Sequence, residues 1–158
     1  MSMNELSQLK GSWDEVKARL PDIIMYYEAD IALAIGRLSI KGKSGAEALK
    51  EQTAWPVFYS MKKAELDKLL KYMNAQVEAC RGKLYKRYTE SYSRDIGDRG
   101  KEKYIDNEPE YMGYYQLYLE LEELRDKYTA ICDAWDKRGF ALRDWTALKI
   151  AEMQNAEI

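Results

Sequence analysis

The fold of this chain is decided by residues 114–135, which read YYQLYLELEELRDKYTAICDAW. Apolar and aromatic residues recur there at alternating steps of three and four, at Tyr114, Leu117, Leu121, Leu124, Tyr128, Ile131 and Trp135. This is the period of a coiled-coil seam and not the period of a lone amphipathic helix. The spacing therefore predicts a helix whose seam meets another helix, either in the same chain or in a second copy.

A second long helix is predicted upstream, over residues 57–95, which contain no proline and a single glycine. Apolar residues again recur at steps of three and four, at Leu66, Leu69, Met73, Val77, Cys80 and Leu84. At about 1.5 Å per residue this helix would be roughly 58 Å long, which is more than a small domain needs to span its core. Part of it is therefore expected to be exposed or to meet another chain.

Prolines and capping boxes divide the rest of the chain. Each proline stands where an apolar helical period restarts, at Pro21, Pro56 and Pro109. The spacing of a capping box, or of its Asn variant, joins Ser2 to Glu5, Ser44 to Glu47 and Asn107 to Glu110. Together these signals predict helices over 3–20, 21–39, 45–54, 57–95, 109–138 and 141–155. Glycine-containing linkers are expected at 41–45 and 95–107, and a corner is expected at Gly139.

Composition sets the class of the protein. Of 158 residues, 46% are hydrophobic and 33% are charged, and the net charge is only -2. We predict an all-α protein, built as a long-helix antiparallel helical assembly with a C-terminal helical oligomerisation element. No apolar stretch approaches the roughly 20 residues of a membrane span, and residues 1–5 do not open a signal peptide. The cytoplasm is the expected location, with no membrane partner.

Most common catalytic chemistries lack their residues in this chain. There is no histidine, so the usual proton shuttle and the histidine-paired nucleophiles are absent. Cys80 and Cys132 cannot make a closed zinc site, and we expect both to be buried free thiols. The glycine-rich phosphate-binding motifs are also missing. Carboxylate-only catalysis stays open, although Glu120, Glu122 and Glu123 are better explained as a solvated face. We therefore expect no enzyme, cofactor or metal.

Residues 81–103, RGKLYKRYTESYSRDIGDRGKEK, hold eight basic residues against four acidic ones. Single-stranded nucleic acid needs this combination, because phosphates bind Lys and Arg while unpaired bases stack on aromatic rings. The candidate phosphate-binding residues are Arg81, Lys83, Lys86, Arg87, Arg94, Arg99, Lys101 and Lys103, and the candidate stacking residues are Tyr85, Tyr88 and Tyr92. The alternative is a solvated basic face whose tyrosines are partly buried against a neighbour.

The next segment has the opposite charge. Residues 104–126 carry seven acidic residues and one basic residue. If neighbouring subunits place the acidic segment of one beside the basic segment of another, the charges would set the register of a ring or bundle. The alternative is that the two segments pair within one chain for the same electrostatic reason.

Residues 133–145, DAWDKRGFALRDW, place large apolar side chains among basic ones near the end of the chain. This pattern is typical of interface anchors with a polar rim, and packing inside one subunit is the alternative. The candidate oligomerisation residues are Leu121, Leu124, Tyr128, Ile131, Trp135, Phe140, Leu142, Trp145 and Leu148.

These stretches resemble the UvsY-type recombination mediator proteins of tailed bacteriophages. The similarity is carried by DAWDKRGFAL at 133–142, YYEADIALAI at 26–35, and RGKLYKRY at 81–88 before a YSRDIGDRG connector, all in the same order. The resemblance implies a nonenzymatic, ring-forming homo-oligomer that binds single-stranded DNA. Such proteins help a RecA-like recombinase displace single-strand-binding protein. In that family a basic pair before the connector is implicated in DNA binding, and Arg81 and Lys83 correspond to it here. Residues 41–56 depart from the family as an apparent insertion.

From these observations we expect residues 1–108 to form a helical region that binds single-stranded DNA, and residues 109–158 to form heptad-patterned helices for oligomerisation. The predicted function is a recombination mediator in the cytoplasm of a phage host. A coiled-coil structural or adaptor protein without nucleic-acid binding is the rival interpretation, since the heptad and the segregated charges suit it equally well.

Overall fold

The computed structural model describes residues 13–91 and 97–155 of the chain. Its helices are α1 (Trp13–Leu38), α2 (Gly45–Ser91), α3 (Asp98–Asp106) and α4 (Pro109–Asn155). No strand occurs within the two described ranges. The predicted all-α class is confirmed. The first residues of the predicted helix 3–20 and the Ser2–Glu5 capping box lie outside the described residues.

The chain divides into two compact units. The terminal unit combines Met1–Ala64 with Asp126–Ile158, and the central unit is Glu65–Arg125. α2 and α4 each contribute residues to both units. The domain boundary that the sequence suggests at residue 108 falls inside the central unit, between α3 and α4.

An aromatic cluster forms the core of the terminal unit. Tyr27, Tyr59, Tyr128 and Trp135 are all fully buried. The ring of Tyr59 lies 6.0 Å from that of Tyr128 and stacks on that of Trp135 at 6.5 Å. Tyr27 packs edge-on against Tyr128 at 5.6 Å, and the Tyr128 hydroxyl donates to the Tyr27 carbonyl at 3.0 Å. Such aromatic pairs stabilise a fold by about 0.5–1.5 kcal/mol each beyond the area that they bury.

The buried guanidinium of Arg138 ties α4 to α1 and α2 in the terminal unit. Its Nε donates to the Leu38 carbonyl at 3.1 Å, which is at the last residue of α1. Nη1 donates to the Ala48 carbonyl at 3.1 Å and to Gln52 Oε1 at 2.9 Å, and Nη2 donates to Glu51 Oε2 at 2.9 Å. Arg138 therefore satisfies a carbonyl that the end of α1 leaves without a helical partner, and it fixes the start of α2.

The connection between α1 and α2 follows the predicted turn chemistry. Gly42 has φ +79°, a left-handed conformation that glycine adopts without steric cost. Ser44 and Glu47 form the predicted capping box, with the Ser44 amide donating to Glu47 Oε2 at 2.8 Å and the Glu47 amide donating to Ser44 Oγ at 3.3 Å. The hydrogen bonds that the Ser44 amide and hydroxyl donate to the Glu47 carboxylate hold the pKa of Glu47 below its ordinary value. This capping prediction is confirmed.

In the central unit, the predicted seam of α2 packs against α3 and α4. All six apolar residues of that seam are buried, as are Leu121 and Leu124 of α4. Arg125 lies 3.9 Å from Asp67, whereas Tyr111 packs beside Cys80 and Leu84. The α2 and α4 segments of this unit therefore run antiparallel.

The predicted linker at 95–107 is wrong for most of its described part, because residues 98–106 form α3. Ile105 is fully buried and packs against Cys80 and Leu84. This single apolar anchor was hidden among charged residues and glycines. Burial against α2 thus favours a helix in a segment whose composition is typical of a loop.

Two predicted helix boundaries and one predicted capping box are also wrong, although the last helix begins at Pro109 as predicted. Pro21 and Pro56 lie inside α1 and α2, although an interior proline costs about 3 kcal/mol or more. Leu20 and Ile23 on either side of Pro21 are fully buried, and so is Tyr59 one turn after Pro56, so we attribute the helix continuity to tertiary packing. The Asn107–Glu110 capping box does not form, because Asn107 Nδ2 donates to the Lys103 carbonyl at 2.7 Å and Glu110 pairs with Lys83.

The predicted corner at Gly139 is wrong as well, since α4 continues through this residue. Glycine is needed there because a side chain from α2 approaches the backbone of α4. A Cβ at position 139 would lie 2.9 Å from Gln52 Nε2. That same nitrogen donates to the Trp135 carbonyl at 2.8 Å. Gly139 therefore leaves room for a hydrogen bond between helices.

This account predicts opposite behaviour for two glycines of the same helix. A Cβ at Gly113 would meet nothing within 4 Å, so Gly113→Ala should stabilise the protein by about 0.5–1 kcal/mol through helix propensity. Gly139→Ala should forfeit this gain, because displacing Gln52 costs a hydrogen bond of about 1 kcal/mol. Urea unfolding followed by circular dichroism measures both. In a Gln52→Ala background, Gly139→Ala should become stabilising, and equal effects of the two glycine variants in the native background would contradict the account.

Candidate nucleic-acid interface

The basic stripe predicted from the sequence lies on the outer face of α2 in the central unit. Cys80 and Leu84 point into the core, whereas Lys83, Lys86 and Arg87 are exposed and Arg81 is half-buried. With about 3.6 residues per turn, Arg81, Lys83 and Arg87 flank the apolar seam of α2, and Lys86 lies on the far side of the helix.

The tyrosines of the stripe differ in accessibility. Tyr85 is 39% exposed. Tyr88 is half-buried and packs on the apolar cluster of Cys80, Leu84 and Ile105. Tyr92 and Arg94, the remaining predicted members on this helix, lie outside the described residues. Within the described part of the stripe, Tyr85 therefore offers the more accessible ring.

Each basic side chain of the described stripe contacts a carboxylate. Arg81 lies 3.9 Å from Glu102 on α3, and Lys83 lies 3.2 Å from Glu110 on α4. Arg87 forms an ion pair with Glu108, and Lys86 lies 3.8 Å from Glu90 on its own helix. Two of these pairs, Lys83–Glu110 and Arg87–Glu108, join the basic segment to the acidic one within one chain, which was the second of the two alternatives.

The basic residues of α3 fall into two groups. Lys101 is only 8% exposed, and its Nζ lies 3.6 Å from Asp98 and 5.2 Å from the centre of the Tyr85 ring. The Tyr85 hydroxyl donates to Asp98 Oδ1 at 2.7 Å, so these three residues form one internal network. Arg99 and Lys103 are exposed, one helical turn apart, and neither has an ion-pair partner among the residues that the structure describes.

Glu108 joins the basic and aromatic parts of the surface. It accepts hydrogen bonds from both the Tyr88 hydroxyl and the Arg87 guanidinium. The ring of Tyr104 stacks on that of Tyr88, with centroids 5.8 Å apart and planes at 26°. The hydrogen bond from Tyr88, together with the charge of Arg87, holds the pKa of Glu108 below its ordinary value. The same bond, with burial, raises the pKa of Tyr88.

Sequence reasoning did not include the carboxylates and the tyrosine that complete this surface, which are Asp98, Glu102, Tyr104, Glu108 and Glu110. For Glu108 and Glu110 the signal was the change of charge sign between residues 81–103 and 104–126, whereas Asp98 and Glu102 lie inside the basic segment and had no such signal. That signal predicts that opposite charges meet, but it does not identify the partners. Partner identity depends on α3, which the composition of its segment did not predict.

A second set of tyrosines lies outside the predicted site. Tyr111, Tyr115 and Tyr118 stack in sequence along α4, at 6.0 Å and 6.2 Å between ring centres. The Tyr118 hydroxyl donates to Glu122 at 3.0 Å, so this ladder lies in the acidic segment. Acidic surroundings repel phosphates, which makes the ladder a suitable control for ring exposure alone.

The candidate oligomerisation residues divide by burial. Six of the nine are buried within the single chain, namely Leu121, Leu124, Tyr128, Ile131, Trp135 and Leu142, so the heptad seam packs intramolecularly. Phe140, Trp145 and Leu148 are 59%, 49% and 65% exposed. Trp145 lies over the start of α2, where a Cβ at Gly45 would be 3.3 Å from its ring. Only these three candidates present accessible apolar surface.

The structure also bears on the cysteines, on a membrane span and on a metal site. Cys80 is buried as expected, whereas Cys132 is half-buried, and burial raises the pKa of both thiols. Over the described ranges, no helix is both long enough and apolar enough to cross a membrane. Acidic and cysteine side chains in the same ranges form no group that could hold a metal ion.

Comparison with known proteins adds no assignment. No family model matches the chain, and no significant match was found among curated proteins or solved structures. The contacts described above therefore carry the functional argument.

The two carboxylates with lowered pKa predict an acid-sensitive surface. Tyr85 and then Lys101 lower the pKa of Asp98, and Tyr88 and then Arg87 lower that of Glu108. Because the folded pKa lies below the unfolded one, the stabilisation is complete above about pH 4.5 and is lost as the pH falls through the folded values. Thermal unfolding across pH should show that Asp98→Asn with Glu108→Gln lowers stability at pH 7, and that this difference disappears at low pH. A difference that is constant with pH would contradict the assigned contacts.

Proposed function

We propose that the chain binds single-stranded DNA through the outer face of α2 and α3 in the central unit, and that it acts as a recombination mediator. The observation that carries the binding step is the 39% exposed ring of Tyr85, which contacts α3 through Asp98 and is accompanied by exposed basic side chains on α2. On α3, Arg99 and Lys103 are exposed and have no ion-pair partner among the described residues. A strand on this surface would place phosphates on cations and a base on the ring.

The ion pairs of the stripe do not prevent such binding. The cations Lys83 and Arg87 are 71% and 50% exposed, and their partners Glu110 and Glu108 are 41% and 20% exposed. Exposed ion pairs contribute only about 0–1 kcal/mol each. A strand supplies several phosphates in a row and gains from the release of counterions. Phosphates can therefore replace carboxylates on this surface at modest cost.

The mediator role rests on the resemblance to UvsY-type proteins. A homo-oligomeric ring would repeat this modest surface, so that several weak contacts bind one strand through effective concentration. The strand would then be offered to a RecA-like recombinase while single-strand-binding protein leaves. Phe140, Trp145 and Leu148 are the candidates that remain accessible for subunit contacts.

A structural or adaptor function is the second candidate, and one observation favours it. The exposed positions of α2 between Thr53 and Ala64 carry no charge, and Val57 and Met61 among them are 58% and 44% exposed. Uncharged apolar faces of this kind occur at protein contacts. This face belongs to the terminal unit, so it can serve a protein partner independently of the basic stripe.

Strand binding can be tested by fluorescence anisotropy with labelled single-stranded and duplex oligonucleotides at several salt concentrations. Tyr85→Ala should weaken single-strand binding by about 1–3 kcal/mol through lost stacking, whereas Tyr85→Phe should retain it. Arg99→Ala with Lys103→Ala should reduce the slope of log affinity against log salt by about 1.4, at about 0.7 for each phosphate contact.

Control variants test whether a loss of affinity is specific to this surface or follows from removing any exposed charge or aromatic ring. Tyr115→Ala removes an equally exposed ring from the acidic segment, and Lys68→Ala with Lys71→Ala removes two exposed cations from an earlier part of α2. Neither control should alter binding beyond about twofold. No binding of single strands at low salt by the folded protein would reject the proposal and leave the adaptor function.

A further inference from the structure

The acidic side chains on the stripe occupy positions that a bound strand would need. Glu108 contacts Arg87, and Glu110 lies 3.2 Å from Lys83. Glu102 lies 3.9 Å from Arg81. Each carboxylate therefore sits where a phosphate oxygen would bind the same cation.

An aromatic side chain occupies the stacking position beside these charges. Tyr104 stacks on Tyr88 at 5.8 Å, and the Tyr88 hydroxyl donates to Glu108. Tyr104 and Glu108 thus present a flat ring and an anion to α2 at neighbouring points. A nucleotide of a single strand presents the same two groups, a base and a phosphate.

We propose that Tyr104, Glu108 and Glu110 form an internal competitor that imitates a nucleotide and lowers the affinity of the surface for short or isolated strand segments. This inference rests on the proposed strand binding and adds its regulation. A single nucleotide gains little by replacing contacts of similar chemistry. A longer strand replaces them together and adds contacts to Arg99, Lys103 and Tyr85, so the competitor favours extended single strands.

The competitor predicts that its removal tightens binding. Glu108→Gln with Glu110→Gln should raise the affinity for a short single-stranded oligonucleotide roughly 5- to 20-fold, since each exposed ion pair that no longer competes accounts for a few-fold. For a long strand, the increase in affinity per nucleotide should be smaller. Tyr104→Ala, which changes a side chain that is 51% exposed and leaves the charge unaltered, should also tighten binding.

The controls change charge and ring exposure on the same unit without touching the stripe. Glu120→Gln with Glu123→Gln neutralises two exposed carboxylates on α4, and Tyr115→Ala removes a ring that is 44% exposed. Both should leave affinity within about twofold of the native protein. Thermal unfolding of each variant verifies that the fold is intact.

The outcomes separate this inference from the proposed function. Tighter binding by the competitor variants alone supports the inference. If the native protein binds strands and the competitor variants bind equally or more weakly, the carboxylates are purely structural and the inference is overturned while the function stands. An equal gain in the control variants would identify a general charge effect and also overturn it. If no variant binds single strands at low salt, both proposals fail.

Discussion

The apolar seam of α4, which lies within residues 114–135, is buried inside one chain, and the other contacts depend on this burial. In the terminal unit it places Tyr128 and Trp135 against Tyr27 and Tyr59, and it brings Arg138 onto the end of α1 and the start of α2. In the central unit the same seam sets the antiparallel register that brings Tyr111 beside Leu84. That register delivers Glu108 and Glu110 to Arg87 and Lys83. The apolar seam therefore determines which charges meet.

Much of the helical content could be predicted from the sequence, because strict periodicity and the Ser44–Glu47 capping box are local signals. The predicted helix boundaries were wrong where tertiary contacts outweighed the local sequence signals. Pro21 and Pro56 lie inside helices near fully buried residues, and Gly139 accommodates Gln52 of another helix. The helix α3 depends on Ile105, one apolar residue in a polar segment. Contacts between distant residues leave no periodic trace in such segments.

In the candidate site, too, local spacing predicts some features, and contacts between helices decide the others. Helical spacing separates the exposed basic side chains of α2, such as Lys83 and Lys86, from its buried apolar seam. It could not predict that Lys101 is buried beneath Tyr85, since the approach of α3 to α2 decides that contact. It also left open whether the seam meets its own chain or another. Leu121 and Leu124 are buried in the single chain, which settles that alternative for these residues.

Charge compensation within one chain gives the surface two properties that would otherwise conflict. The carboxylates pair α3 and α4 with a basic helix, and in the proposed function they would also limit unselective binding of polyanions. Exposed pairs are weak enough to exchange partners. A surface of this kind would discriminate by the number of phosphates that arrive together, which suits a protein that handles long single strands.

The most direct test of the account is photochemical cross-linking of a single-stranded oligonucleotide carrying 5-iodouracil, followed by mass spectrometry of the linked peptides. The account predicts linkage to Tyr85, with less at Tyr88, and loss of the Tyr85 linkage in the presence of excess unlabelled single strand. Linkage confined to Tyr111, Tyr115 or Tyr118, or no specific linkage at all, would contradict the assignment of the α2 stripe as the strand-binding surface.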